Sequence, residues 1–414
     1  MKKKILIVGN GAKEYALAKK LSGLYDIYVT PSGDMLKEFA VCLDIREDNV
    51  SELLEFVLEN SIDMTVVTSE VAIKSDIVTL FGNNKQPIFA PSAKAAEIIY
   101  DKGLAKKTMY KLKIPTPKFG IFDKLNLALD YIKKQDFPCV IKTNDSNSAV
   151  IVTTSQTAKN ILENAFIEKN NRIIIEDYVY GTPFSFYTIT DGYKALPIGS
   201  SITYKYSLEG NGGQLTSGRG AGSPNYKLSL NNEYFLMENV IYPTIEYLDA
   251  SEKTYLGILG VNGIIDKDGN ICILGWQSFM NDCDAPNIIE NIEEDLYDLF
   301  LSCTIGSFSD EKENINQSNM STVSLVLACN KKDNKENIIK GCGDLDENII
   351  QTFYPSVNKN RYLEYEANSG PVMILTSKAS TLNKASEDLY EEVKCINFSG
   401  LSYRKDICKI TDKI

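Results

Sequence analysis

The 414-residue sequence predicts an α/β protein of several domains that opens on a parallel sheet. Three observations carry that expectation. The first hundred residues alternate short β-branched runs with helical segments, the pattern of βαβ crossovers. The length exceeds one ordinary core, so two to four domains are expected. The composition is that of a globular chain, 43% hydrophobic and 24% charged.

Strand "KILIV" runs into "GNG", which turns the chain into a helix over 12–21, and "DIYVT" follows as a second strand. A helix over 49–59, strand "DMTVVTS" (63–69), a helix over 70–82 and strand "PIFA" (87–90) continue the alternation. Helix "AKAAEIIYDKGLAKKTMYKL" (93–112) leaves this sheet, and the prolines of "IPTP" (114–117) stop it. Residues 118–190 read as a second α/β unit: helix 125–134, strand 138–142, a hairpin, helix 156–165 and strand "RIIIEDYV" (172–179). A third region, to about 305, holds the loop "EGNGGQLTSGRGAGSP" (209–224), a helix over 231–249 and a hairpin over 255–277 turning at "KDGN". Polar "SDEKENINQSNMS" (309–321) reads as a linker. Strands "TVSLVLAC" and "GPVMILTS" and a helix over 381–394 form the tail. The expected units are therefore 1–101, 102–308 with a small lobe at about 118–190, the linker, and 322–414.

Forty-four basic against 55 acidic side chains give a net charge of −11, which argues against nucleic acid or anionic membrane as a partner. No apolar run approaches the roughly 18 residues of a membrane span. The apolar run after "MKKK" is about five residues, short of the ~7–15 of a signal peptide, so it reads as a buried strand. The nine cysteines are scattered without a C-x-x-C pair, as expected of reduced core residues in a cytoplasmic protein. There is no histidine. That removes histidine general bases, Ser-His-Asp triads and H-E-x-x-H zinc sites, so any chemistry rests on carboxylates, lysines, arginines and backbone dipoles.

"GNGAKE" places Gly9 and Gly11 where a strand meets a helix N-terminus, a natural anion site. A dinucleotide fingerprint wants a small residue where Glu14 stands, so a plain tight βα turn is the alternative. Lys102 and Lys142 are candidates to hold phosphate, since an ammonium on a flexible stem acts as a point charge. Lys102 equally fits a solvated helix face. Lys142 closes the apolar "CVIK" and calls for an anionic partner or an exposed strand end. Glu176 and Asp177 end "IIIEDYV", and the backbone beyond them, at Tyr178, is placed to meet an adenine edge or simply ends a strand. The loop 209–224, six glycines in sixteen residues, either approaches a ligand closely or is mobile.

Taken in order, these pieces resemble the phosphoribosylamine–glycine ligases (glycinamide ribonucleotide synthetases), ATP-grasp enzymes of purine synthesis. "ILIVGNGAKEYALA" is similar to the family's V-I-G-N-G-G-R-E-H-A-L-A, "IDMTVVTSE" to I-D-L-x-x-V-G-P-E, and "IFAPSAKAAEIIYDK" to F-G-P-x-x-x-A-A-x-L-E-x-S-K. "KIPTPKF" and the closing "FSGLSYRKDI" (398–407) follow the family too, so the likeness spans nearly the whole chain. The resemblance implies an ATP-grasp fold between a Rossmann-like N-terminal domain and a small C-terminal α/β domain. It implies ATP at Lys102, Lys142, Glu176, Asp177 and Tyr178, and substrate at Gly9, Asn10, Gly11, Glu70, Gly213, Thr216 and Gly218. It also implies glycine and phosphoribosylamine as small-molecule partners, Mg²⁺ beside the nucleotide, and a monomer or weak homo-oligomer.

The departures gather where the chemistry belongs. The family hairpin V-I-K-A-D-G-L-A-A-G-K-G-V-I-V becomes "VIKTNDSNSAVIV" (140–152), two residues shorter and without glycine or the second lysine. The ribose-holding G-x-E becomes "GTPF" (181–184), and the substrate-loop asparagine becomes Leu215. In the metal-binding E-F-N-x-R-F-G-D-P-E, the Glu is Gly275, the Asn is Gln277 and the Arg is Phe279. Asp266, Asp282 and Asp284 are candidates to supply replacement oxygens. Asp145 would set negative charge where the family puts amide donors, so ATP and adenosine are expected to bind within about tenfold of each other. Three readings stand: the family ligation, a catalytically inactive paralogue with a binding or regulatory role, and a ligase for another substrate.

Overall fold

A computed structural model of the protein describes residues 2–31, 33–144, 149–167, 172–308, 312–330 and 337–409. The N-terminal part is built on β1 (Lys4–Val8), α1 (Ala12–Leu21), β2 (Asp26–Thr30), β3 (Val41–Cys42), α2 (Val50–Asn60) and β4 (Met64–Val67). It continues through α3 (Glu70–Lys74), α4 (Ile77–Asn83) and β5 (Ile88–Phe89). The strands run parallel in the order β3-β2-β1-β4-β5. Helices cover both faces, which is why β1 reads as an unbroken apolar run: Ile5 and Ile7 pack in one core, Leu6 and Val8 in another. The end of β1, between outward-diverging connections, is where such sheets open a crevice for ligand.

Two expected helices divide. The one over 70–82 breaks at Asp76, whose backbone is left-handed (φ 59°). The one over 93–112 becomes α5 (Glu97–Tyr100) and α6 (Lys102–Lys111), because Asp101 leaves the helix and caps the next by accepting from Leu104 N–H at 2.8 Å.

The small lobe comprises β6 (Phe119–Phe122), α7 (Leu125–Ile132), β7 (Cys139–Thr143), β8 (Ala149–Val152), α8 (Ser155–Ile167) and β9 (Ile173–Asp177). Its sheet is antiparallel, ordered β6-β9-β7-β8, with α7 and α8 on its apolar face. The tip of the β7–β8 hairpin, including Asp145, lies outside the described residues.

The large sheet draws on the rest of the chain: β10 (Thr182–Thr190), β11 (Ala195–Thr203), the side hairpin β12 (Tyr206–Leu208) and β13 (Gly212–Leu215), then β14 (Gly220–Ser223). A near-continuous helical stretch, α9 (Leu230–Leu236) to α10 (Tyr242–Asp249), leads to β15 (Gly257–Ile265), β16 (Ile271–Gln277), α11 (Ala285–Asn291) and α12 (Leu296–Thr304). The tail adds β17 (Ser321–Cys329), β18 (Ile350–Phe353), β19 (Val357–Lys359), β20 (Tyr365–Ala367), β21 (Gly370–Ala379), α13 (Leu382–Glu392) and β22 (Leu401–Ser402). The sheet runs β16-β15-β10-β11-β14-β17-β21-β18, with β22 on β17. The tail, expected as a small separate unit, thus continues the central sheet through the β14–β17 pairing, and one core joins α1, β11, β17, β21 and α13. The described part of the expected linker also packs: Ile315 is buried, and Asn316 C=O accepts from Glu293 N–H at 2.9 Å. Among the described residues no helix is long and apolar enough to cross a membrane.

Candidate active site

The cleft between the small lobe and the large sheet is floored by an ion network. Antiparallel pairing of β7 with β9 brings Lys142 to Glu176, Nζ to Oε2 at 2.8 Å. The other oxygen of Glu176 lies 3.3 Å from the Nζ of Lys106, an ion pair whose direction falls short of a hydrogen bond. Lys106 also donates to Thr116 Oγ1 at 2.6 Å. Both Lys106 and Glu176 are almost fully buried. Burial alone would raise the Glu176 carboxyl, but the two ammonium groups outweigh it and hold it below the usual range. Burial brings Lys106 down to about 8. Lys106 was not singled out from the sequence, where it is one of four lysines in α6. The signal was its place on the buried face beside Ala105 and Met109.

Lys102 opens α6 and its Nζ donates to the Thr143 carbonyl at 3.1 Å, at the end of β7. Asp177 accepts from Gln135 Nε2 at 2.6 Å. Tyr178 sets its hydroxyl 3.1 Å from that of Tyr206 and its ring edge-on to Tyr180. Lys102, Lys142, Glu176 and Tyr178 are therefore neighbours along one wall, whereas the Asp177 side chain turns to the other face of β9, toward Gln135, and does not join them.

A second focus lies at the end of β1. Two adjoining cavities of about 340 and 210 Å³ share Asn10, Gly11, Pro355 and Ser356. Gly218, Asp282 and Cys283 line the smaller, and Asp34, Tyr354, Asn358 and Asn368 the larger. The contribution of residues 354–358 and 368 was not legible, since no motif marks that stretch. Gly9 is required: its φ is 144°, and a Cβ would lie 2.3 Å from Glu14 Oε1 and 2.4 Å from Thr68 Oγ1. Glu14 is buried, bonded by the Thr68 hydroxyl, with Oε2 lacking a hydrogen-bond partner. Burial raises its carboxyl to about 7, against the pull of Lys13. Lys13 has its ammonium held above the usual range, since Glu14, Asp282, Glu70 and Glu47 outweigh the cost of burial. Glu70 heads α3 and pairs with Lys74 at 3.5 Å.

The glycine-rich loop divides. Gly218 faces the cavity, where a Cβ would meet Cys283 Sγ at 2.4 Å. Thr216 is a turn residue whose N–H and hydroxyl both donate to the Lys205 carbonyl. Gly213 sits in the exposed β12–β13 hairpin, outside both cavities, so it does not join the expected substrate group. The closing "YRKDI" holds that hairpin: Arg404 bonds both oxygens of Asp406, at 2.8 and 2.6 Å, and the Tyr206 carbonyl at 3.1 Å.

The residues do not fit a carboxylate-held divalent metal. Gly275 and Gln277 offer no carboxylate, and Gln277 Oε1 lies 3.2 Å from the Tyr187 hydroxyl. Asp284 is fully buried, and its oxygens already accept from Tyr187 at 2.7 Å, Thr203 at 3.0 Å and Asn281 at 3.2 Å. Asp282 accepts from the Lys13 N–H at the start of α1. Asp266 is half-buried in the β15–β16 turn, where its oxygens accept from Asp268 and Asn270. Among the described residues no group of three His, Cys, Asp or Glu could hold a metal ion.

Comparison with known proteins agrees with this architecture. The N domain of phosphoribosylglycinamide synthetase matches residues 3–98, and its ATP-grasp (A) domain matches 100–285. A phosphoribosylamine–glycine ligase of Vibrio parahaemolyticus is 27% identical, covering 98% of this chain and 97% of that one. One from Halalkalibacterium halodurans is also 27% identical, over 97% and 96%. The crystal structure of the Thermotoga maritima enzyme superposes with a TM-score of 0.81 at 20% identity, covering 97% and 99%. The biotin carboxylase domain of Hydrogenobacter thermophilus 2-oxoglutarate carboxylase, in complex with MgADP, gives 0.74 at 15% identity, covering 97% and 92%. With both family domains matched in succession over an ATP-grasp fold, the chain belongs to the phosphoribosylglycinamide synthetase family.

Proposed function

We propose that the chain is an ATP-dependent carbon–nitrogen ligase that joins glycine to 5-phosphoribosylamine in purine biosynthesis, the reaction its relatives are named for. The observation that carries the reading is the buried Lys106–Glu176–Lys142 network beside the Tyr178 wall, which aims an ammonium into the interlobe cleft. A carboxylate oxygen of glycine attacks the γ-phosphorus of ATP and ADP leaves. The amine of the sugar then attacks the acyl carbon, phosphate leaves and a proton is lost. In this scheme Lys142 and Lys102 meet phosphate oxygens, and Glu176 orients Lys142. Asn10, Asn358 and Ser356 suit the hydroxyls of a sugar, and Asp282 suits its amine. The partners are small molecules, without nucleic acid or membrane, and the chain works as a monomer or weak homo-oligomer.

A second reading, a nucleotide-binding paralogue without turnover, is favoured by Gly275 and Gln277 at the positions where the family resemblance places metal ligands. Several kcal/mol of lost transition-state stabilisation is about a thousandfold or more in rate. The test is a coupled assay of ADP release with ATP, glycine and freshly formed phosphoribosylamine. ADP release that requires both co-substrates supports the ligase. None above background supports the second reading.

A further inference from the structure

One cation of the cleft has no partner in the scheme above. Lys205 follows directly on β11. Two residues before it, Thr203 donates to Asp284, and on extended backbone positions two apart share a face. Tyr204, between them, turns the other way, its hydroxyl accepting from Cys408 N–H at 3.0 Å. One residue after it, Tyr206 reaches Tyr178 at the end of the nucleotide wall. The backbone is pinned, with its carbonyl accepting from Thr216 N–H at 2.7 Å and Thr216 Oγ1 at 2.9 Å. Burial lowers the proton affinity of the Lys205 ammonium, while Asp284 raises it and Lys142 from the opposite lobe lowers it further. Among the described residues Lys205 makes no ion pair and no side-chain hydrogen bond.

An unpaired, half-buried ammonium needs an anion. Of the oxygens that would bring a divalent cation to this spot, position 275 has none, the Gln277 amide oxygen accepts from the Tyr187 hydroxyl, and those of Asp284 are already bonded. A dication set beside Lys205 would also be repelled by it. We propose that Lys205, with Lys142 across the cleft, meets the phosphates of a nucleoside di- or triphosphate, and that the site binds this nucleotide without a protein-held divalent metal. The inference rests on the nucleotide reading of the cleft. It also replaces the expectation that ATP gains little over adenosine, which considered only the 143–149 turn.

Titration calorimetry of the full chain with ADP, in EDTA and in millimolar MgCl₂, tests it, with adenosine as the phosphate-free probe. ADP should bind at least about tenfold tighter than adenosine in EDTA, with a Kd that magnesium changes by less than about fivefold. Lys205→Met should weaken ADP about tenfold or more and leave adenosine unchanged, and Lys205→Arg should restore most of the loss. Tightening by magnesium beyond about fivefold, ADP no tighter than adenosine, or a Lys205→Met loss shared equally by adenosine overturns the proposal. Turnover in the ligation assay with magnesium-tightened ADP binding would sink this inference and keep the ligase. Metal-independent ADP binding without turnover would do the reverse.

Discussion

Changing Gly275 to Glu together with Gln277→Asn asks the cleft to hold the metal for which these positions offer no carboxylate. Gly275 pairs with Asn262 across β15 and β16, and a Cβ built on it meets no atom within 4 Å. The longer side chain therefore enters open space. Trp276 is buried in the core, so positions 275 and 277 share the opposite side, the one we propose faces the cleft. Glycine inside a strand is itself destabilising by about 0.5–1 kcal/mol, so the fold should not suffer. The effect belongs to binding. A carboxylate about 6 Å from a phosphate charge, at an effective dielectric of ~20, costs about 2–3 kcal/mol. That is roughly 30- to 150-fold in affinity. Calorimetry with ADP in EDTA should show this weakening, and magnesium should reverse it, since one or two protein carboxylates suffice for Mg²⁺. The unaltered chain, expected to be indifferent to magnesium, is the control. Equal ADP affinity of variant and wild type in EDTA would refute the reasoning, because residue 275 would then not face the nucleotide.

Glu14 titrates at about 7 instead of 4.5, with burial the main cause, so its folded pKa is raised. The stability it lends is full below about pH 4.5 and is lost as pH rises through about 7. Glu14→Gln should gain up to about 3 kcal/mol on wild type between those limits; thermal melts showing a pH-independent offset would rule this out. Lys106→Met leaves Glu176 and Thr116 short of a buried partner. With Lys142 still in place the loss should fall near the lower end of about 3–5 kcal/mol, and a urea midpoint close to wild type would contradict it. Arg404→Met unlatches the β12–β13 hairpin from Asp406 and the Tyr206 carbonyl. Amide exchange in residues 206–215 should quicken by at least about tenfold while that of β1 stays unchanged; uniform quickening would make Arg404 a global anchor instead.

The parallel sheet was legible because its strands are buried on both faces and its helices are amphipathic, so periodicity changes at each boundary. What periodicity misses is a helix broken by a single residue. Asp76 and Asp101 each interrupt a run whose apolar pattern continues, through a left-handed backbone in one case and a side-chain cap in the other. The tail's place in the central sheet was not legible either. A strand of alternating burial declares that it has a partner, but β14 is four small residues, "GAGS", with little pattern to announce the partner of β17.

The site shows the same division for a chemical reason. Lys142 and Glu176 could each be chosen alone, since a charge closing an apolar strand must be paired or exposed, and they proved to pair with each other. Lys106 and Lys205 could not. A lysine in a lysine-rich helix, or in a polar segment after a strand, looks solvated until the burial of its head group is known. The motifs that match the family best include the Gly9 turn and the Arg404 latch, where side-chain space and backbone carbonyls dictate the residue. Of the departures, Gly275 has open space in front of it, and Gln277 on the same face meets the Tyr187 hydroxyl. A packed position answers to many neighbours, whereas a position facing a ligand answers to that ligand. A change in how phosphate charge is met can therefore alter 275 and 277 and leave the fold readable at 27% identity to its relatives. On the proposed reading its trace is geometric: Lys205, an ammonium without an ion pair among the described residues.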